Sequence, residues 1–137
     1  MNIVAIGAHP DDLEIFAYGF LAAASSRGDN LILGVATDGA AGGVNKGAEL
    51  TRQRADEARN GLAALGTPTL LDLPDGQLAD APNARNRIRE FIRDAAPDLV
   101  ITHAPEDYHP DHRALAAYVH DAAGFICPVL FCDTLMG

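Results

Sequence analysis

Short β-branched apolar runs alternate along the chain with longer stretches whose apolar residues recur every three or four positions. Ile3 to Gly7 is the first run, short enough for a strand buried on both faces. From Leu13 to about Ser26 the period becomes helical, and Gly28 closes that stretch. Leu31 to Ala36 reads as a second strand, and Glu49 to Leu65 as a helix stopped by Gly66-Thr67-Pro68. Thr69 to Leu73 is a third strand, followed by a loop holding Pro74-Asp75-Gly76. Asn83 to Ala95 is helical, with Ile88, Phe91 and Ile92 on one face. Asp98 to Thr102 supplies a fourth strand, Asp111 to Ala122 a last helix, and Pro128 to Cys132 a fifth strand.

This alternation predicts an α/β fold with right-handed crossovers and a mostly parallel sheet. There is no repeat, low-complexity tract or linker, so residues 1–137 read as a single domain. In such sheets ligands bind beyond the carboxyl ends of the strands. Three polar segments follow strands: His9 to Asp12, the loop Thr37 to Gly47 with its four glycines, and His103 to His112. They are expected to gather on one edge.

Composition narrows the partners. Ten Lys and Arg face nineteen Asp and Glu, a formal charge of −9, which argues against nucleic acid because phosphate binding needs a basic surface. No window approaches the roughly 20 apolar residues of a membrane-spanning helix. The N-terminus lacks a basic flank and a cleavage site, so it reads as a strand and the expected location is cytoplasmic. Cys127 and Cys132 lie in an apolar stretch and read as buried free thiols, with a disulfide between them the weaker alternative.

The candidate chemistry sits in two turns. In His9-Pro10-Asp11-Asp12-Leu13-Glu14, an imidazole and a carboxylate on a loop-to-helix turn can reach one cation, and both suit a divalent metal of zinc type. Catalytic zinc usually keeps three protein ligands, and His109-Pro110-Asp111-His112 offers a third from another strand end. A lone His-Pro-Asp turn is most often a helix cap. Two such turns at two strand ends are hard to explain by capping.

Together, Ala8-His9-Pro10-Asp11-Asp12-Leu13-Glu14 and His109-Pro110-Asp111-His112 resemble the LmbE or PIG-L family of zinc-dependent N-deacetylases. That family includes deacetylases of N-acetylglucosaminyl-phosphatidylinositol and of the sugar precursors of mycothiol and bacillithiol. The resemblance implies a Rossmann-like sheet with helices on both faces and a metal site at the strand ends. It makes His9, Asp12 and His112 the Zn2+ ligands, with another divalent metal open, and Asp11 the general base. It gives His109 the oxyanion or the leaving amine, with Asp111 orienting its ring, and places Glu14 behind the ligands. It implies an N-acetylglucosamine-type amino-sugar substrate, and a homo-oligomer is compatible because related proteins often assemble. It also implies that family members continue in further strand and helix beyond Gly137. A metal-binding or regulatory domain without turnover is the alternative, and the presence of Asp11 and His109 favours the enzyme.

Around these turns lie weaker candidates. The family commonly places an Arg near the substrate in the second helix; Arg52 fits that position better than Arg54, and a solvated helical face is an equal reading. Asp38 and Gly39 follow strand two as pocket-edge candidates. Tyr108 is either an oxyanion donor or a packing residue. His103 ranks below His109 as a pocket residue, and His120 reads as structural or surface. Glu106 and Asp107 are candidates for carboxylates standing behind the site.

Overall fold

A computed structural model describes residues 1–42 and 47–134; residues 43–46 of the glycine loop and the final stretch 135–137 lie outside the described residues. The strands are β1 (Asn2–Gly7), β2 (Asn30–Thr37), β3 (Thr69–Leu73), β4 (Leu99–His103) and β5 (Val129–Cys132). The helices are α1 (Asp12–Phe16), α2 (Tyr18–Ser26), α3 (Ala48–Gly61), α4 (Ala84–Asp94) and α5 (Pro110–Ala123). One sheet takes the order β3-β2-β1-β4-β5, and every pairing in it is parallel.

Burial alternates along the strands and divides the apolar side chains between two cores. Val4, Ile6 and Val100 face α4 and α5, where they meet Ile88, Ile92, Leu115 and Val119. Ile3, Ala5, Leu33 and Ile101 face the other way, against Leu13, Ala17, Leu21, Ala24 and Leu62. Because β1 is covered on both sides, nearly every position in it is apolar, as a central parallel strand requires. Cys127 packs against the first core and Cys132 against the second, so the sheet itself separates the two free thiols.

The element boundaries depart from the sequence reading in two places. The single helix expected from Leu13 to Ser26 bends at Ala17, where φ is −125°. Its buried stripe of Leu13, Ala17, Leu21 and Ala24 continues through the bend, which is why the periodicity reads as one helix. The helix expected to reach Leu65 ends at Gly61, and separate turns through Leu62 and Leu65 lead to Gly66.

Two glycines permit close approaches that the fold needs. A Cβ on Gly34 would lie 2.7 Å from the Phe91 ring, so only glycine lets α4 settle on β2 there. A Cβ on Gly7 would lie 2.8 Å from the Asp12 Cβ, so glycine at the end of β1 lets the following turn fold back on its own strand.

The topology positions the site. From β1 the chain moves to β2 and β3 on one side, then returns across the sheet to β4 on the other. The crevice of a doubly wound sheet opens where the connections diverge, here beyond the carboxyl ends of β1 and β4.

Gly34→Ala is expected to destabilise the fold by about 1–3 kcal/mol through overpacking. Pairing it with Phe91→Leu should recover part of the loss in denaturant unfolding, whereas equal stability of Gly34→Ala and wild type would show that α4 shifts freely.

Candidate metal centre and active site

β1 delivers His9 to Asp12 to this crevice, and β4 delivers His103 and the segment running to His112. The first turn folds tightly: the His9 N–H donates to Asp12 Oδ2 at 2.6 Å, and the Asp11 N–H donates to the His9 carbonyl at 3.0 Å. At the second turn His109 caps α5, its Nδ1 accepting from the Asp111 N–H at 3.1 Å, with Pro110 opening the helix.

His9 Nδ1 lies 3.2 Å from His112 Nε2 and 3.5 Å from Asp12 Oδ2. His112 Nε2 lies 3.5 Å from Asp12 Oδ1. A tetrahedral zinc with ligand bonds near 2.0–2.1 Å separates its donors by about 3.3 Å, so this spacing fits one small cation.

The outer hydrogen bonds fix which nitrogens face inward. His112 Nδ1 is 2.9 Å from Asp107 Oδ1, which places the proton on Nδ1 and leaves Nε2 as a lone pair. His9 Nε2 is 3.2 Å from both Asp111 Oδ2 and Asp75 Oδ1, which leaves Nδ1 as the lone pair. Two imidazole lone pairs and a carboxylate therefore face one another, an arrangement that calls for a positive charge between them. A proton can supply it: burial disfavours charge on His9, but Asp111, Asp12 and Asp75 outweigh that and push its pKa up to about 11. Burial likewise works against the Asp12 anion, yet hydrogen bonds from His103 and His9 hold its carboxyl far below the usual range. A divalent cation answers the same field more fully, and the donor set fits one.

The carboxylates behind the histidines are themselves pinned. Asp111 accepts from the Gly76 N–H at 2.7 Å and the Leu78 N–H at 3.0 Å. Asp107 accepts from the His109 N–H at 2.9 Å and from the Thr134 hydroxyl at 3.0 Å. His103 is fully buried, with Nε2 3.0 Å from Asp12 Oδ2 and its ring stacked on His112 at a centroid distance of 3.7 Å. Its Nδ1 has no hydrogen-bond partner among the described residues.

A cleft of about 340 Å3 opens over this cluster, at the lower end of the range for small-ligand sites. Asp11 lines it in a backbone conformation, φ 150°, that L side chains rarely adopt. Although Asp11 precedes α1, its side chain makes no capping bond; it instead accepts from Arg54 at 3.2 Å. Burial and the neighbouring Asp12 raise its pKa, with Arg54 pulling the other way. His109 stands beside His9 with ring centroids 4.6 Å apart; because Nδ1 accepts a backbone proton, the neutral ring carries its own proton on Nε2. Tyr108 lines the wall half-exposed, edge-on to His109 and His112.

Several residues sit elsewhere than the sequence suggests. Arg54, not Arg52, lines the cleft; Arg52 opens onto a separate depression beside Asp56 and Pro68. The Asp111 carboxylate orients His9 rather than His109, which it meets only through its backbone N–H. Asp38 stays behind the wall, accepting from the Ala40 and Asp75 N–H groups, while Gly39 lines the cleft. Glu14 packs its carboxyl against Gly61 of α3 instead of standing behind the ligands, and Glu106 is exposed. His103 lies beneath the cleft, bonded to Asp12, and not in its wall. His120 is exposed on α5, away from the cleft. Asp75 appears in the sequence reading only as part of the loop after the third strand and not as a site candidate, although it follows β3 as Asp38 follows β2, and that placement was the available signal.

Comparison with known proteins meets this geometry directly. Residues 4–123 match the family described as GlcNAc-PI de-N-acetylase, PIG-L. The chain belongs to the PIG-L family. An uncharacterized deacetylase of Escherichia coli K12, YaiS, is 32% identical over 125 residues, covering 83% of this chain and 63% of that protein. The N,N'-diacetylchitobiose deacetylase of Pyrococcus horikoshii superimposes with a TM-score of 0.81 at 26% identity, over 90% of this chain and 49% of that one. The chain thus spans less than two thirds of either relative's length. GalB of Pseudomonas putida KT2440, a 4-carboxy-2-hydroxymuconate hydratase, shares the fold with a TM-score of 0.79 at 22% identity, over 89% of this chain and 55% of that one. A PIG-L fold therefore does not dictate the reaction by itself.

Asp111→Ala, which leaves Asp75 as the one carboxylate on His9 Nε2, is expected to weaken zinc binding about 10–100-fold in a competition titration; unchanged affinity would mean that Asp75 holds the ring without it.

The buried carboxylates also set an acid limit on the metal-free chain. Hydrogen bonding to His9 holds Asp75 low. Burial works to raise Asp107 and Asp111, but bonds from the His109 N–H and from His9 outweigh it and hold both low. Groups with depressed folded pKa values contribute stability above the unfolded value of about 3.9, and it is lost as pH falls through the folded values. The denaturation midpoint should fall steeply below about pH 4, and it should also decline as pH rises above about 6.5, because the raised His9 pKa of about 11 contributes stability that deprotonation removes.

Proposed function

We propose that this PIG-L chain is a metal-dependent amide hydrolase that removes the N-acetyl group from an amino-sugar derivative. The observation that supports it most directly is the inward-facing lone-pair triad of His9, Asp12 and His112, with Asp11 and His109 free to act beside it. Those three side chains would hold the cation, zinc in the first instance. When bound, such a cation lowers the pKa of water and polarises a carbonyl.

The protein's own groups then divide the remaining work. Asp11 is the proton acceptor: it lines the cleft, is spared from capping α1, and has its pKa raised by burial and Asp12. Its strained backbone holds the carboxylate over the cleft rather than against the helix end. Arg54 fixes the carboxylate's direction through its 3.2 Å bond. His109 faces the same space with Nε2–H outward, suited to donating to the developing oxyanion and then to the departing amine. Tyr108 and Ile15, both exposed and both lining the cleft, offer an aromatic and an aliphatic surface against which a sugar ring can rest.

The acetylated amino-sugar follows from what relatives' names say they act on, and from a cleft of small-ligand size. A hydratase on the same fold makes acetate release, rather than loss of substrate, the deciding readout.

Asp11→Asn should keep zinc near wild-type content and reduce acetate release from N-acetylglucosamine derivatives by roughly 10²–10⁴-fold. His112→Ala should lose most of the zinc together with the activity. Loss of metal in both variants would show that Asp11 is a ligand and not the base.

A further inference from the structure

On the face of the sheet covered by α4 and α5, the two helices enclose a second groove of about 410 Å3. Its α4 wall carries Arg85, Arg89 and Arg93. Four residues apart, these side chains recur every 6 Å or so and form a cationic ridge about 12 Å long. The opposite wall is Tyr118 and Asp121 of α5, with Phe125 exposed at its end. The whole chain has ten Lys and Arg, and α4 alone holds Arg85, Arg87, Arg89 and Arg93.

Arg85 is already neutralised, paired with Asp121 and seated 5.2 Å over the Tyr118 ring. Arg89 donates only to the neutral Asn86 side chain, at 2.8 Å. Among the described residues, neither Arg89 nor Arg93 has a carboxylate partner, in a chain where acids outnumber bases nineteen to ten. Two guanidinium groups are left open together on an otherwise acidic protein.

We propose that this groove binds an acidic, extended peptide segment of a partner protein. Side chains on one face of an extended chain recur every 6.6 Å or so, close to the arginine repeat, so two carboxylates can meet Arg89 and Arg93 in turn. Each pairing can be bidentate, which a guanidinium favours. Phe125, exposed at the end of the groove, gives the peptide's aliphatic stems an apolar surface. A single small anion would engage one arginine and leave the ridge unused. A nucleic acid would meet the chain's net charge of −9. α5 runs from the His109 end at the metal centre to Ala123, a length of about 20 Å, so the groove can be filled without covering the catalytic cleft.

The test is a titration of the full chain with a labelled oligoglutamate peptide at low ionic strength, read by anisotropy and by amide chemical-shift mapping. Shifts are expected along α4 and the second half of α5, with affinity falling as salt is added. Arg89→Glu with Arg93→Glu should weaken binding by at least about ten-fold with the thermal midpoint and the zinc content unchanged. The same charge change at Arg27 and Arg59, which are paired on other surfaces, should leave affinity within about two-fold. No binding, equal loss in both double variants, or shifts centred on His9 and His112 would overturn the proposal. Tighter binding of an oligothymidylate strand in the groove would overturn it too, in favour of a nucleic-acid site.

Discussion

Four carboxylates with largely buried side chains, Asp12, Asp75, Asp107 and Asp111, converge on His9 and His112 at the ends of β1 and β4. Such a concentration of acceptors is costly in a protein interior unless each is hydrogen-bonded and their charge is opposed. The backbone meets the first condition: N–H groups of His9, Ala41, Gly76, Leu78 and His109 all point at these oxygens. A proton on His9, or a cation between the two imidazoles, would meet the second. Some donors serve a carboxylate of their own loop, as His9 serves Asp12 and His109 serves Asp107, while Gly76 and Leu78 after β3 reach Asp111 and Ala41 after β2 reaches Asp75.

The arrangement separates the groups that orient the histidines from those that line the cleft. Behind the histidines, Asp107 and Asp111 select the tautomers, and buried His103 braces Asp12 and stacks on His112, so the inward lone pairs have little freedom. In front of them, Asp11 and His109 line the cleft. Asp11 makes no cap despite standing where a cap belongs, and its unfavourable φ is sustained by the tight turn bonded on either side. His109 spends one nitrogen on capping α5 and presents the other to the cleft. Local strain at Asp11 is offset by the packing of the strand and helix that flank it.

Much of this was legible in the sequence because it depends on local order. Strand β3 matches its apolar run residue for residue, and both His-containing turns sit at strand ends as the alternation predicts. What failed depended on direction. Arg52 and Arg54 are two residues apart on α3, about 200° around the helix axis, so only one of them can face the cleft. Asp111 lies beside His109 in the chain, yet its carboxylate turns to His9 across the sheet. Glu14 completes a motif in sequence, but its carboxyl lies against Gly61 of α3. His103 at a strand end looked like a wall residue, and parallel-sheet burial instead put it under the cleft.

The sequence by itself determined the α/β alternation, the edge of the sheet that carries the chemistry, and the residue types able to hold a metal there, since periodicity and turn composition act over neighbouring residues. The tertiary structure alone decided which nitrogen of each histidine faces inward, that Asp75 joins the cluster and that Asp107 rather than Glu106 does, and that Arg54 reaches Asp11. Those outcomes rest on contacts between strand ends far apart in the chain. A side chain's partner across a sheet is set by strand order and register, which no local pattern records.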